Sequence, residues 1–134
     1  MSESAAAGQA VVRVTHGRGR LRVWAVATRA GRDLCVVIAG GSEPHVGAVA
    51  VAQARPSLAD AARTSATSSV LTLLGHKDDA IARAAAERLA AALGCTAVVS
   101  AGLHVDAATD AELEVLQMRA QRCVEDLLAA LTNG

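Results

Sequence analysis

Apolar and polar positions alternate through the first part of the chain. Residues 10–15 (Ala-Val-Val-Arg-Val-Thr) and 20–28 (Arg-Leu-Arg-Val-Trp-Ala-Val-Ala-Thr) change character at nearly every step, the period of a strand with one buried face. His-Gly-Arg-Gly separates them as a turn, and the segment around Gly31 makes a second. Residues 34–39, Leu-Cys-Val-Val-Ile-Ala, are apolar without a break, as expected of a strand covered on both faces. Runs joined by short glycine-bearing turns predict an antiparallel meander. Gly40-Gly41-Ser-Glu-Pro-His45 reads as a loop, and residues 46–52 as a fourth strand. Residues 55–67, rich in Ser, Thr and Ala, have poor periodicity and read as a loop carrying at most a short helix. Residues 68–74 give a fifth strand.

The period then changes. Residues 78–93 are Ala-rich and helical, with Asp78 and Asp79 in the first turn, where carboxylates suit the free amides and the helix dipole. Gly94 is a helix stop, and residues 96–100 form another strand. Thr109-Asp-Ala-Glu112 has capping-box spacing. Beyond it Leu113, Leu116, Ala120, Val124, Leu127 and Leu131 recur at three and four and make one apolar helix face. The expected fold is α+β: a mostly antiparallel sheet of five or six strands with two helices packed on one face. Residues 10–134 read as a single domain after a flexible tail over 1–9. The core is small and the apolar surface large for 134 residues, which predicts a homodimer.

Composition narrows the function classes. Lys+Arg and Asp+Glu are 13 each, so a nucleic-acid footprint is not expected. Phe and Tyr are absent and Trp24 is the one aromatic residue, so no base-stacking platform is available. No apolar run approaches the ~18–20 residues of a membrane span, and no basic-then-apolar leader opens the chain. Cys35, Cys95 and Cys123 are far apart, odd in number and set among apolar neighbours. They read as reduced core thiols of a cytoplasmic protein.

The candidate chemistry lies in the histidines. His16 falls in the first turn and reads as a solvated side chain. His45, His76 and His104 each follow an apolar strand in a glycine-bearing loop, where rigid strands place binding groups. Three imidazoles from three loops suit a divalent transition metal, with Asp106 or Glu43 as a fourth ligand or tautomer-fixing acceptor. The amides near Gly40 and Gly41, and the turn Gly75-His76-Lys77, offer a second chemistry: an anion such as a phosphate, with Lys77, the single lysine, supplying charge. Asp78 and Asp79 would repel a bare anion, so a metal would have to intervene. Neither glycine pair matches a dinucleotide or P-loop pattern, and no nucleophile elbow is present.

Four blocks carry a resemblance: Gly31-Arg-Asp-Leu-Cys-Val-Val-Ile-Ala-Gly-Gly41, Pro44-His-Val-Gly-Ala-Val-Ala50, Gly75-His-Lys-Asp-Asp79 and Ala101-Gly-Leu-His-Val-Asp106. Their order and spacing over roughly residues 12–131 resemble the LpdD-like prenylated-flavin chaperone family, whose members accompany UbiD-type decarboxylases. Val46, Leu103 and Val105 stand where the family pattern has isoleucine, and the histidines are kept. The resemblance implies a small accessory protein that binds and delivers or matures prenylated FMN. Its partner would be a UbiD-type decarboxylase of aromatic or heteroaromatic acids, with a flavin prenyltransferase as an indirect partner. On that reading Gly40, Gly41, His45, His76, Lys77, His104 and Asp106 are expected to line one site for a divalent metal, the flavin phosphate, or both through the metal, with His45, His76 and His104 as the metal ligands. Two further readings stay open: a small metal-dependent enzyme with a His-lined site, and a non-catalytic component of a decarboxylase.

Overall fold

The computed structural model describes residues 10–73 and 78–133. Its strands are β1 (Val11–His16), β2 (Val23–Ala30), β3 (Asp33–Gly41), β4 (Ala48–Pro56), β5 (Thr64–Thr72) and β6 (Thr96–His104). Its helices are α1 (Asp78–Leu93) and α2 (Asp110–Asn133). The strands form one sheet in the order β1-β2-β3-β6-β4-β5. Every neighbouring pair is antiparallel except β3 with β6, so the fold is α+β with a mostly antiparallel, mixed sheet. Among the described residues, no helix is long and apolar enough to cross a membrane.

The meander is confined to β1, β2 and β3. β4 follows β3 in the chain but not in space, because β6 inserts between them. Several element boundaries differ from the expectation. Gly19–Leu21 make a single 3-10 turn, which delays β2 to Val23. The stretch expected as a loop over 55–67 is a loop only over 57–63, since β4 runs to Pro56 and β5 starts at Thr64. β5 is an edge strand facing water on much of its surface, so it needs no apolar alternation, and its Ser and Thr residues conceal its first part, residues 64–67. β6 continues past Ser100 to His104, pairing with β3 to its last residue.

Both helices lie on the same face of the sheet. α1 packs on β4, β5 and β6, and α2 on β1 and β2. Beneath them every second residue of the inner strands is buried: Val23, Ala25 and Ala27; Leu34, Val36 and Ile38; Ala48, Ala50 and Ala52; Ala97, Val99 and Ala101. Many of these are alanines, so the helices sit close, and Leu89 and Leu127 fill the space between layers. The capping box forms as the sequence predicts. The Glu112 amide donates to Thr109 Oγ1 at 3.1 Å, and the Thr109 amide to Glu112 Oε1 at 3.0 Å. Gly94 ends α1 at a φ of 62°.

The other face of the sheet carries no helix. The apolar run of β3, expected to be covered on both sides, is covered on one: Val37 is 39% exposed and Cys35 is exposed. Cys35 is therefore not a core residue, whereas Cys95 and Cys123 are. His16 is likewise not a solvated turn residue. It ends β1, and its Nε2 lies 2.5 Å from Asp126 Oδ2, tying the edge strand to α2.

Candidate functional site

Insertion of β6 forces the chain leaving β3 to cross the end of β6 before it can start β4. The segment 42–47 makes that crossing and lies on the strand end. The Ser42 amide donates to the His104 carbonyl at 2.9 Å, and the Gly47 amide to the Ala101 carbonyl at 2.9 Å. Gly102 makes the close approach possible, because a Cβ there would collide with the His45 carbonyl. Gly41 has the left-handed φ of 79° that starts the crossing, and a Cβ on it would strike the His104 carbonyl. Topology thus brings His45 on the crossing segment beside His104 at the strand end.

The two rings meet edge to face, with centroids 6.5 Å apart and planes at 77°. His45 Nδ1 lies 3.0 Å from the Glu43 carbonyl, and its Nε2 lies 3.1 Å from Asp78 Oδ2. A carbonyl only accepts, so the hydrogen bond to Glu43 is made by the tautomer with its proton on Nδ1. Asp78 is 4% exposed, and its Oδ1 accepts the Leu103 amide at 3.0 Å. One carboxylate at the start of α1 therefore fixes both the crossing segment and β6. His104 Nε2 lies 2.8 Å from Asp106 Oδ1. Glu43, His104 and Asp106 each offer a ligand atom, and the three atoms lie within 4.8 Å of one another. Glu43, Pro44, His45 and His104 line a cleft of about 350 Å³.

A second ring of contacts supports Asp106. Arg20 pairs with Glu112 at 2.7 Å and reaches the Asp106 carbonyl at 3.4 Å. The Thr109 amide, and then Arg20, hold the Glu112 carboxyl below the usual range. Ala107, next to Asp106, adopts a left-handed φ of 52°, a conformation that L side chains disfavour by about 1–2 kcal/mol.

Two of the three expected histidines, His45 and His104, come together with Asp106 and Glu43. His76 and Lys77 lie outside the described residues. Gly40 and Gly41 line the approach to the crossing, but the Gly41 amide donates to the Arg22 carbonyl at 2.9 Å, and Gly40 packs against that same carbonyl. Their role here is close packing, and the Gly41 amide is engaged. Asp78 was not expected as a partner of His45, because an acid in the first turn of a helix is already explained by the dipole. The signal was its place in the Gly-His-Lys-Asp-Asp block.

What the arrangement can do chemically follows from its donors. One imidazole and two carboxylates make a mixed nitrogen–oxygen set suited to a divalent cation. With Asp78 behind them, the same carboxylates repel a bare anion. A phosphate would approach this cleft through a cation.

A family model described as the prenylated flavin chaperone LpdD-like domain matches residues 17–132. Among solved structures, a chain of a chaperone complex for yeast 20S proteasome assembly superposes with a TM-score of 0.55 at 15% identity, covering 90% of this chain and 96% of that chain. At that identity the likeness shows the fold alone. None of the curated proteins matches this chain.

Proposed function

The chain belongs to the family of prenylated flavin chaperones with an LpdD-like domain, and from that premise we propose that it binds prenylated FMN and delivers or matures it for a UbiD-type decarboxylase of aromatic or heteroaromatic acids. The observation that carries the placement of the cargo is the meeting of Glu43, His104 and Asp106 at a cleft shared with His45. A divalent cation held by these three would take the flavin phosphate as a further ligand and cancel the repulsion between phosphate and carboxylates. His76 and Lys77 are assigned to the same site because they precede Asp78 directly in the sequence. Gly40 and Gly41 contribute by letting the crossing segment lie close. Trp24 stands on the same sheet face as Gly102, two strands away at the same level, as the one aromatic ring that can meet the isoalloxazine. An open cleft suits a carrier, which must release what it binds. The flavin prenyltransferase that makes the cargo is an indirect partner, and the cytoplasm the expected setting.

The test is an absorption spectrum of the protein purified after co-expression with a flavin prenyltransferase, with metal analysis of the same sample. A flavin chromophore near one per chain, accompanied by a divalent metal and lost in His104→Ala and Glu43→Gln, is the expected result. A colourless protein that takes up no added reduced prenylated FMN overturns the carrier reading. The same donor set favours one second reading, a small metal-dependent enzyme. It predicts metal-dependent oxidation of the reduced prenylated flavin with multiple turnovers, where a carrier gives none.

A further inference from the structure

The helix-free face of the sheet is a surface without a described cover. Strand register puts Val26, Val37, Ser100, Val49 and Leu71 in one row across β2, β3, β6, β4 and β5. The adjoining row runs Thr28, Cys35, Val98, Val51 and Ser69. Within these rows the only charged side chain is Arg13, opposite Val26 on the edge strand β1. Several of the apolar members are well exposed: Val51 at 44%, Leu71 at 74%, and Val11, on the same face of β1, at 49%. A single exposed valine is ordinary, but two adjoining rows that are largely apolar and uncharged from β2 to β5 mark a contact surface.

We propose that this face packs on its own copy in a second chain, making a two-fold, sheet-on-sheet dimer with the helices outside. Three observations select that occupant. The first is area. Six strands about 4.8 Å apart, six to nine residues long at ~3.3 Å each, make a face of roughly 500–700 Å². Two such faces together give roughly 1,000–1,400 Å², where specific interfaces begin. The second is polarity. A face with no charge in its centre offers a charged partner nothing to pair with, but it is complementary to itself, as a two-fold contact requires. The third is the sequence of β3. Its unbroken apolar run has the composition of a strand covered on both sides, and α1 and α2 account for one side only. Two twisted sheets about 10 Å apart interdigitate such rows as a sandwich does. The crossing segment 42–47 occupies the strand ends on this face, so the second sheet covers the rows beside it and leaves the cleft at the margin.

Cys35 reports on the contact directly. It lies in the second row and is exposed in the single chain, while Cys95 and Cys123 are buried and serve as internal controls. The experiment combines light scattering on a sizing column with the rate of Cys35 alkylation by iodoacetamide, read by mass spectrometry, in the wild type, Val37→Glu and Val51→Lys. The expected result is a wild-type dimer at micromolar concentration. Cys35 should react at least tenfold more slowly in it than in either variant, both of which run as monomers with native circular dichroism. Should the variants not fold, a wild-type dilution series decides: Cys35 must become reactive as the dimer dissociates. A monomeric wild type with freely reactive Cys35 overturns the proposal. So does a dimer that keeps Cys35 reactive, which places the contact elsewhere. So does a monomer whose Cys35 is protected only on adding FMN, which gives the face to the flavin.

Discussion

The side chain of His45 is held by a carboxylate 33 residues away, with Nε2 at 3.1 Å from Asp78 Oδ2. Because the other oxygen of Asp78 accepts the Leu103 amide, removing this carboxylate leaves a half-buried donor unpaired as well as a loosened histidine. Asp78→Ala should cost about 1–3 kcal/mol, the range for an orphaned buried polar group. His45→Ala, which leaves the Leu103 contact intact, should cost less. The double variant should fall short of the sum, because the residues share one contact. Urea unfolding of the four proteins checks this, and additive costs would show that the pair is not coupled.

Gly102→Ala should be among the most damaging small substitutions in the chain. The added methyl meets the His45 carbonyl, and backbone cannot swing aside as a flexible side chain can. Overpacking of this kind costs about 1–3 kcal/mol. The crossing segment must lift, so affinity for a divalent cation should fall together with stability. Isothermal titration with Mn²⁺ and thermal melting read the two effects on one sample.

Thr109→Ala removes the hydroxyl that caps α2 and should cost about 1 kcal/mol. Glu112 gives the box a pH signature. Its carboxyl is held below the ordinary 4.5, chiefly by the Thr109 amide. Its contribution to stability is therefore complete above that value and is lost as pH falls through the folded-state value. Glu112→Gln should flatten this part of the acid unfolding curve, measured by circular dichroism between pH 6 and 3.

Cys123 sets a limit at the alkaline end. Burial, followed by the charge of Asp126, raises its thiol from the ordinary 9.0 to about 11. Below 9 the thiol is neutral in both folded and unfolded chains, and stability does not depend on it. Between 9 and about 11 only the unfolded chain ionises, so stability declines with rising pH. Cys123→Ala should reduce that slope, leaving the share of Cys95, whose thiol burial also raises, while lowering stability at neutral pH, as a small cavity demands. Denaturant midpoints at pH 8, 9 and 10 separate the two effects.

Much of the site was legible because its residues have recognisable places. His45 and His104 could be paired in advance because each follows an apolar strand in a glycine-bearing stretch. Glu43 and Asp106 were legible as supporting acids for the same reason. Asp78 was not, since a first-turn aspartate already has a local explanation and nothing in a linear pattern points from residue 78 to residue 45. Both helices, the capping box of α2 and the glycine stop of α1 were readable from period and end signals, whereas the Asp78 carboxylate serves Leu103 and His45 rather than the helix amides. Strand order was not. Alternation tells which face a residue takes, and says nothing about which strand lies beside it. The same gap hid the first residues of β5, whose Ser and Thr suit an edge, and misplaced Cys35, whose neighbours are apolar although its own side of the strand is open.

The position of β6 between two strands that precede it also fixes an order of events. During synthesis the hairpins β1–β2–β3 and β4–β5 emerge complete in themselves, each closed by local pairing. The strand that unites them arrives only afterwards, and Ser42 waits across 62 residues for the His104 carbonyl it will bind. Until then the acids and imidazoles of the cleft belong to separate pieces of a nascent chain. The candidate site is thus a property of the finished polypeptide alone, and a ribosome stalled before β6 exposes two half-sheets with the cleft unassembled.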